Sequence, residues 1–250
     1  MDLELEGKIA LVTGSSKGLG FATARELLRE GANVVINGRN LRNLDNAIQS
    51  LSKEFANRVI GVAGDMTIQK SCVDIVNKTS TQFGGIDILI TNCGGPPTGR
   101  FEDFDTSDWL SAFHSAFMSH NILIKNSLHW LRKSKTPSVL SITSLSIKKP
   151  IRDLILSNTI RAATASLIKS LSLDLGEEGI RFNAILPGYT LTDRMDELIS
   201  QRANTSKDTS YEKEMVKIMS GIPLKRLASP EEFAKASVIC VFSFSCSLVY

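Results

Sequence analysis

Lys8-Ile9-Ala10-Leu11-Val12-Thr13-Gly14-Ser15-Ser16-Lys17-Gly18-Leu19-Gly20 decides the fold of this chain. Its apolar first half, rich in Ile, Leu and Val, reads as a buried strand. The strand runs into a turn with glycines at 14, 18 and 20, and residues 21–29 read as a helix. Strand, glycine turn and helix N-terminus together make a phosphate site, because backbone N–H groups point at the anion and the helix dipole favours negative charge. Glycines let the backbone come close to a pyrophosphate where a Cβ would block it. Gly14, Ser16, Lys17, Gly18, Leu19 and Gly20 are therefore candidate cofactor-binding residues. A glycine turn alone is weak evidence, and its place inside a β-α-β pattern makes it strong.

Outward from this stretch, strand-like runs alternate with helix-like runs. Strands are expected near 8–13, 33–37, 59–63, 86–91, 138–142 and 180–185. Helices are expected near 18–30, 41–55, 68–82, 106–134, 153–175 and 230–245. Such alternation predicts a parallel sheet with helices on both faces, and ligands beyond the C-terminal ends of its strands. The one long irregular stretch is Gly188 to Ala228, polar and rich in Ser, Thr, Asp and Lys. It reads as a lid over the strand ends. Gly94-Gly95-Pro96-Pro97 reads as a second, stiffer wall.

The totals fit one soluble α/β domain. The chain has 250 residues, 42% of them hydrophobic and 22% charged. A net charge of +3 without a basic stripe argues against nucleic acid as partner. Four scattered cysteines (Cys72, Cys93, Cys240 and Cys246) show no C-x-x-C spacing, so neither a disulfide framework nor a zinc site is expected. The first strand begins too early to leave room for a secretory signal. Val238 to Tyr250 is shorter than the ~20 residues of a membrane span and reads as a buried helix. A cytoplasmic protein without membrane partners is the expectation. His114, His120 and His129 lack metal-ligand spacing and read as structural or exposed. The absence of G-x-S-x-G and H-E-x-x-H removes the corresponding hydrolase and zincin readings.

The second strand ends Ile36-Asn37-Gly38-Arg39-Asn40, with no carboxylate to hold the ribose 2′-OH of NAD. Arg39 and Lys17 instead offer two cations to the 2′-phosphate of NADP. NADP is therefore the expected cofactor, ahead of NAD. Both residues also read as ordinary surface charges. Asp65 ends the third strand. It can accept from the adenine amino group, cap the next helix, or do both.

Across nearly its whole length the chain resembles the short-chain dehydrogenase/reductase family, and within it the branch of 3-oxoacyl-carrier-protein reductases. The motifs that carry the likeness are Thr13 to Gly20, Gly64-Asp65-Met66, Asn92-Cys93-Gly94-Gly95, Ser141-Ile142-Thr143-Ser144, Arg181-Phe182-Asn183-Ala184-Ile185 and Pro187-Gly188-Tyr189-Thr190-Leu191-Thr192. The resemblance implies a three-layer α/β/α, Rossmann-type doubly wound parallel sheet in a single domain over 1–250, with a lid insertion at about 188–228. It implies NAD(P) binding and a homodimer or homotetramer. Asn92 would brace the central strands, and Gly94, Pro187, Gly188, Thr190 and Thr192 would join the cofactor site, with Thr192 at the nicotinamide carboxamide. Family members continue past the position of Tyr250 into a seventh strand. Here either the given sequence is truncated or the sheet lacks that edge strand, which often lies at the oligomer interface.

The family's chemistry rests on an Asn, a Ser, a Tyr and a Lys. Ser144 matches the serine. Thirteen residues on, the tyrosine position holds Ser157, and four further the lysine position holds Arg161. Ala116 stands where the asparagine is expected. A tyrosine beside a lysine has its pKa lowered from about 10 and can exchange a proton with a carbonyl oxygen. A serine is a far weaker acid, and an arginine does not give up its proton. The candidate catalytic residues are thus Ser144, Ser157 and Arg161, with Tyr189 as an alternative donor or as lid packing. Asp153 reads as a helix cap or a participant one turn before Ser157. Lys148, Lys149 and Arg152 form a small basic cluster. They read as a solvated loop or as a greeting for an anionic substrate: a carboxylate, a phosphate or a carrier-linked thioester. Three functions stay open: an atypical NADP-dependent oxidoreductase, a non-catalytic NADP-binding sensor or subunit, and an enzyme of another type in which Arg161 holds a substrate carboxylate.

Overall fold

A computed structural model describes residues 2–205 and 210–242. The run that opens the chain forms β1 (Ile9–Val12), its turn, and α1 (Gly18–Arg29). Then follow β2 (Asn33–Gly38), α2 (Leu41–Glu54), β3 (Val59–Ala63), α3 (Gln69–Phe83) and β4 (Ile88–Thr91). The second half holds α4 (Thr106–Phe113), α5 (Ser119–Leu131), β5 (Ser138–Ile142), α6 (Ile155–Asp174), β6 (Arg181–Ile185), α7 (Asp193–Thr205), α8 (Tyr211–Ser220) and α9 (Pro230–Val241). The strands pair in parallel in the order β3-β2-β1-β4-β5-β6. The chain crosses from β3 to the far side of β1 to lay down β4, so the order reverses beside β1. That is where an open α/β sheet forms its ligand crevice.

Both faces of the sheet are covered, which explains the continuous apolar strands. Val12, Ile36, Ile90 and Leu140 face Leu27, Leu51 and Val238 of α1, α2 and α9. Leu11, Val35, Leu89, Val139 and Phe182 face Ile75, Leu123 and Ile168 of α3, α5 and α6. The two-residue alternation assigns each strand side chain to one layer. The result is a single Rossmann-type α/β domain.

Four local expectations are corrected. The stretch from Gly188 to Ala228 is not irregular: it contains α7 and α8, which share a small core of Met195, Ile199, Ile218 and Leu227. Its two ends are tied by a backbone bridge, Leu191 N to Ala228 O (2.9 Å) and Ala228 N to Tyr189 O (3.0 Å). The helix expected over 106–134 is divided by a π-helical turn, His114–Met118. Asp153 is not a helix cap: it adopts φ +64° and pairs with Arg100 (3.4 Å), so α6 begins two residues later behind Leu154. Asp65 does not cap α3 either. Its carboxylate closes a tight turn by accepting from Thr67 N and Oγ1, and Ile68 takes the cap position. The expectations for Cys246 and for the tail beyond residue 242 fall outside the described residues.

Candidate active site

The glycine turn is locked to the neighbouring strands. Thr13 Oγ1 donates to Asn92 O (3.0 Å) and accepts from Asn92 N (3.0 Å), while Asn92 Nδ2 donates to Gly14 O (2.9 Å). Gly14 has φ +55°, and a Cβ added there would lie 2.6 Å from Asn92 O. No side chain fits so close to backbone. Gly20 lies beneath, where an added Cβ would meet Gly14 O at 2.6 Å.

Asn37, which sequence reading passed over, ties three strand ends together. Its Oδ1 accepts from Gly14 N (3.2 Å), and its Nδ2 donates to Val62 O (3.0 Å) and Gly64 O (3.2 Å). It is fully buried. The available signal was an amide inside the apolar run that ends β2, where a polar group must find partners.

These elements wall a cavity of about 560 Å³. Ser144, Ser157 and Arg161 share this space with Gly14, Ser16, Lys17, Gly18, Leu19, Arg39, Asp65, Asn92, Gly94, Pro187, Gly188, Thr190 and Thr192, whereas Gly20, Lys148, Lys149, Arg152, Asp153 and Tyr189 do not line it. The Gly94–Pro97 wall is fastened to α7 by Arg194 Nη2 donating to Pro96 O (2.8 Å). A cradle too shallow for a Cβ, at a helix N-terminus and inside a cavity of this size, fits the pyrophosphate of a dinucleotide.

The two cations assigned to a phosphate each have an acid beside them. Lys17 Nζ lies 3.0 Å from Asp193 Oδ2, and Arg39 lies 3.7 Å from Asp65 Oδ2. The end of β2 therefore does have a carboxylate near it, contributed by the neighbouring β3. Burial pushes the Asp65 carboxyl up, but the Thr67 hydrogen bonds and the Arg39 charge outweigh it and hold it below its ordinary value. The Arg39 side chain is 73% exposed. Exposed pairs of this kind contribute about 0–1 kcal/mol. A phosphate can therefore take either cation over at small cost.

The end of the cavity that holds Ser144, Ser157 and Arg161 is built differently. Ser144 Oγ accepts from Ser146 N (3.1 Å) and closes a short 3-10 turn, leaving its own O–H to donate. Ser157 is buried in the first turn of α6, and its hydroxyl bonds no other described residue. Arg161, one helical turn further, is only 7% exposed. Its Nη1 donates to Ile142 O (3.2 Å) and Thr143 O (3.0 Å), and its Nη2 donates to Cys93 O (3.4 Å). Ala116 sits fully buried in the π-helical turn, with its carbonyl accepting from Thr164 Oγ1 (2.6 Å). Such turns concentrate at functional sites.

Of the three histidines, His114 and His129 are exposed. His120 is buried, with Nδ1 2.7 Å from Thr91 Oγ1 and Nε2 3.5 Å from Cys93 Sγ. Burial first, and the Arg161 charge second, push its imidazole down to about 3. It is neutral at ordinary pH and is no proton donor. Tyr189 packs against the α7–α8 core. It also lines a second cavity of about 1550 Å³, which meets the first at Leu154, Pro187, Gly188, Thr190 and Leu198. Lys149, Arg152 and Arg202 line that second cavity, whereas Lys148 does not.

Known proteins are similar to this chain in sequence and fold. An NADPH-dependent reductase of Bacillus subtilis, BacG, is 30% identical over 230 residues, covering 91% of this chain and 88% of that protein. The structure of L-sorbose reductase from Gluconobacter frateurii, complexed with NADPH and L-sorbose, superposes with a TM-score of 0.91 at 27% identity, over 98% of this chain and 92% of that one. An NADPH-bound short chain oxidoreductase of Pseudomonas aeruginosa, described as containing an atypical catalytic center, gives a TM-score of 0.85. It covers 96% of this chain and 93% of its own, and at 23% identity the likeness carries the fold alone. Residues 8–203 match the family of short chain dehydrogenases. The chain belongs to the short-chain dehydrogenase/reductase family.

Proposed function

We propose that this protein is an NADP(H)-dependent oxidoreductase acting on a carbonyl or alcohol, with Ser157 and Arg161 in place of the family's tyrosine and lysine. The observation that carries the reading is the meeting of Ser144, Ser157 and Arg161 in the cavity that also holds the glycine turn. A reduced nicotinamide, when bound, supplies the hydride. The protein supplies two hydroxyl donors to the substrate oxygen and a fixed positive charge that favours negative charge developing on it. Water supplies the proton. General acid catalysis contributes about 10²–10⁴-fold, so turnover of ordinary ketones is expected to be slow by that factor. NADP rather than NAD is supported by Arg39 and Lys17, exposed cations whose ion pairs are weak enough to be exchanged. The relatives that act with NADPH support the same choice. Lys149, at the second cavity, suits an anionic or carrier-linked substrate. We assign the whole chain to one dinucleotide-binding domain, with residues 188–228 as its lid, in a homodimer or homotetramer.

The test is to follow nicotinamide absorbance with NADPH and a panel of ketones and aldehydes. Turnover abolished by Ser144→Ala supports the assignment. The double change Ser157→Tyr with Arg161→Lys should raise carbonyl reduction, because it restores a phenol and an amine. NADPH binding without turnover on any substrate would establish the alternative, a non-catalytic nucleotide-binding protein, which the lost acid/base pair favours.

A further inference from the structure

Four cations line the dinucleotide-sized cavity: Lys17, Arg39, Arg161 and Arg194. Lys17 pairs with Asp193, Arg39 with Asp65 and Arg194 with Glu197. Arg161 alone has no carboxylate within ion-pair distance among the described residues, and it is also the buried one at 7% exposure. Its partners are three strand-end carbonyls. These use both Nη1 hydrogens and one on Nη2, and the guanidinium also hydrogen-bonds the Cys93 thiol, which is neutral and brings no compensating charge. Carbonyl dipoles solvate a guanidinium but leave its charge uncompensated, and a buried uncompensated charge is costly.

We infer that Arg161 binds the carboxylate of the substrate and Ser157 the neighbouring carbonyl oxygen, which makes the substrate class a short oxo acid or its hydroxy acid. A planar carboxylate takes two N–H donors from one guanidinium, whereas a neutral hydroxyl would leave the charge unanswered. Ser157 and Arg161 lie four residues apart on one face of α6, about 6 Å along its axis. A carboxylate at Arg161 therefore sets a carbonyl one or two carbons away within reach of the Ser157 and Ser144 hydroxyls. This assignment rests on the oxidoreductase reading for its carbonyl, though not for its anion. In the forward reaction the carbonyl carbon takes hydride from the reduced nicotinamide and the carbonyl oxygen takes a proton from water. Hydroxy acid and oxidised cofactor result, and the carboxylate is unchanged.

The test uses the full chain with NADPH present and titrates oxamate, an unreactive oxo-acid analogue, against its uncharged methyl ester by calorimetry. Oxamate should bind roughly tenfold tighter or more, the scale of a charge-assisted contact. Arg161→Gln should erase that preference. Ser157→Ala should lower oxamate affinity several-fold while leaving Arg161's three carbonyl bonds in place, so it decides the matter if Arg161→Gln fails to fold. Equal binding of acid and ester by the unmodified protein would overturn the proposal and leave Arg161 as a pin for the strand ends. Preference for oxamate without turnover of any carbonyl would sink the oxidoreductase reading and leave the carboxylate site standing. Turnover of neutral ketones with no preference for oxamate would do the reverse.

Discussion

Replacing Asn37 by alanine tests whether the nucleotide cradle is held from β2. The change removes three side-chain hydrogen bonds and leaves Gly14 N, Val62 O and Gly64 O without the partner they have now. Each such bond is worth about 0.5–1.5 kcal/mol net, and stranding buried partners adds to the loss. The expected destabilisation is about 2–4 kcal/mol, read as a lowered urea midpoint at unchanged m-value. Affinity for NADPH should fall with it, because Gly14 loses the contact that aims its loop. Asn37→Asp sharpens the case. The carboxylate can still accept from Gly14 N, but its second oxygen would face Val62 O and Gly64 O. Burial and those carbonyls should raise its pKa above that of an unfolded aspartate. The unfolded chain then binds fewer protons than the folded one between the two values, so the penalty is full above the folded pKa and shrinks as pH falls through it. A loss below about 1 kcal/mol for the alanine variant, with unaltered NADPH affinity, would refute the reasoning.

Other outcomes follow from the same geometry. Arg39→Ala should weaken NADPH roughly fivefold to tenfold and NADH hardly at all, measured by fluorescence titration, since an exposed guanidinium contributes modestly even to a phosphate; equal effects would remove the case for NADP. His120 is neutral in the folded chain, with its pKa down at about 3 against an ordinary 6.5. The unfolded chain therefore binds the extra proton between those values, and stability drops as pH falls from about 6.5 towards 3. His120→Gln keeps a neutral hydrogen-bonding group, so melting curves of the two proteins should converge or cross on acidification; a constant gap would contradict the assignment.

The sheet was legible because its strands are buried on both faces and so read as unbroken apolar runs. Leu11 and Val12 go to opposite layers, yet both are apolar. Helices α7 and α8 were not legible. They pack mainly on each other and roof a cavity, so each needs only a narrow stripe, such as Met195 with Ile199, in a polar sequence. The divided helix was missed for another reason: His114–Met118 continues the same apolar spacing, and one extra residue per turn leaves little mark on it. At the site, the glycine turn could be placed from its own spacing, and the serine–arginine pair on α6 from the family resemblance. The acids beside Lys17 and Arg39 could not, because Asp193 and Asp65 come from distant parts of the chain. Nor could the lack of an acid beside Arg161, which is a property of the assembled surroundings.

The contrast among the cavity's cations bears on how the two ends of the site discriminate. At the nucleotide end the positive charges are exposed and already paired, so a phosphate exchanges one weak partner for another. Selectivity there is modest, and the shape of the glycine turn does most of the work. At the reactive end the charge is buried, is fixed by the carbonyls of Ile142, Thr143 and Cys93, and cannot be relieved by losing a proton. A ligand that brings no negative charge leaves that cost in place, while one that brings it gains a contact strengthened by the low dielectric. On the reading proposed above, Arg161 forgoes a proton relay and selects by charge through a guanidinium that cannot be neutralised, and the two consequences cannot be separated at that position.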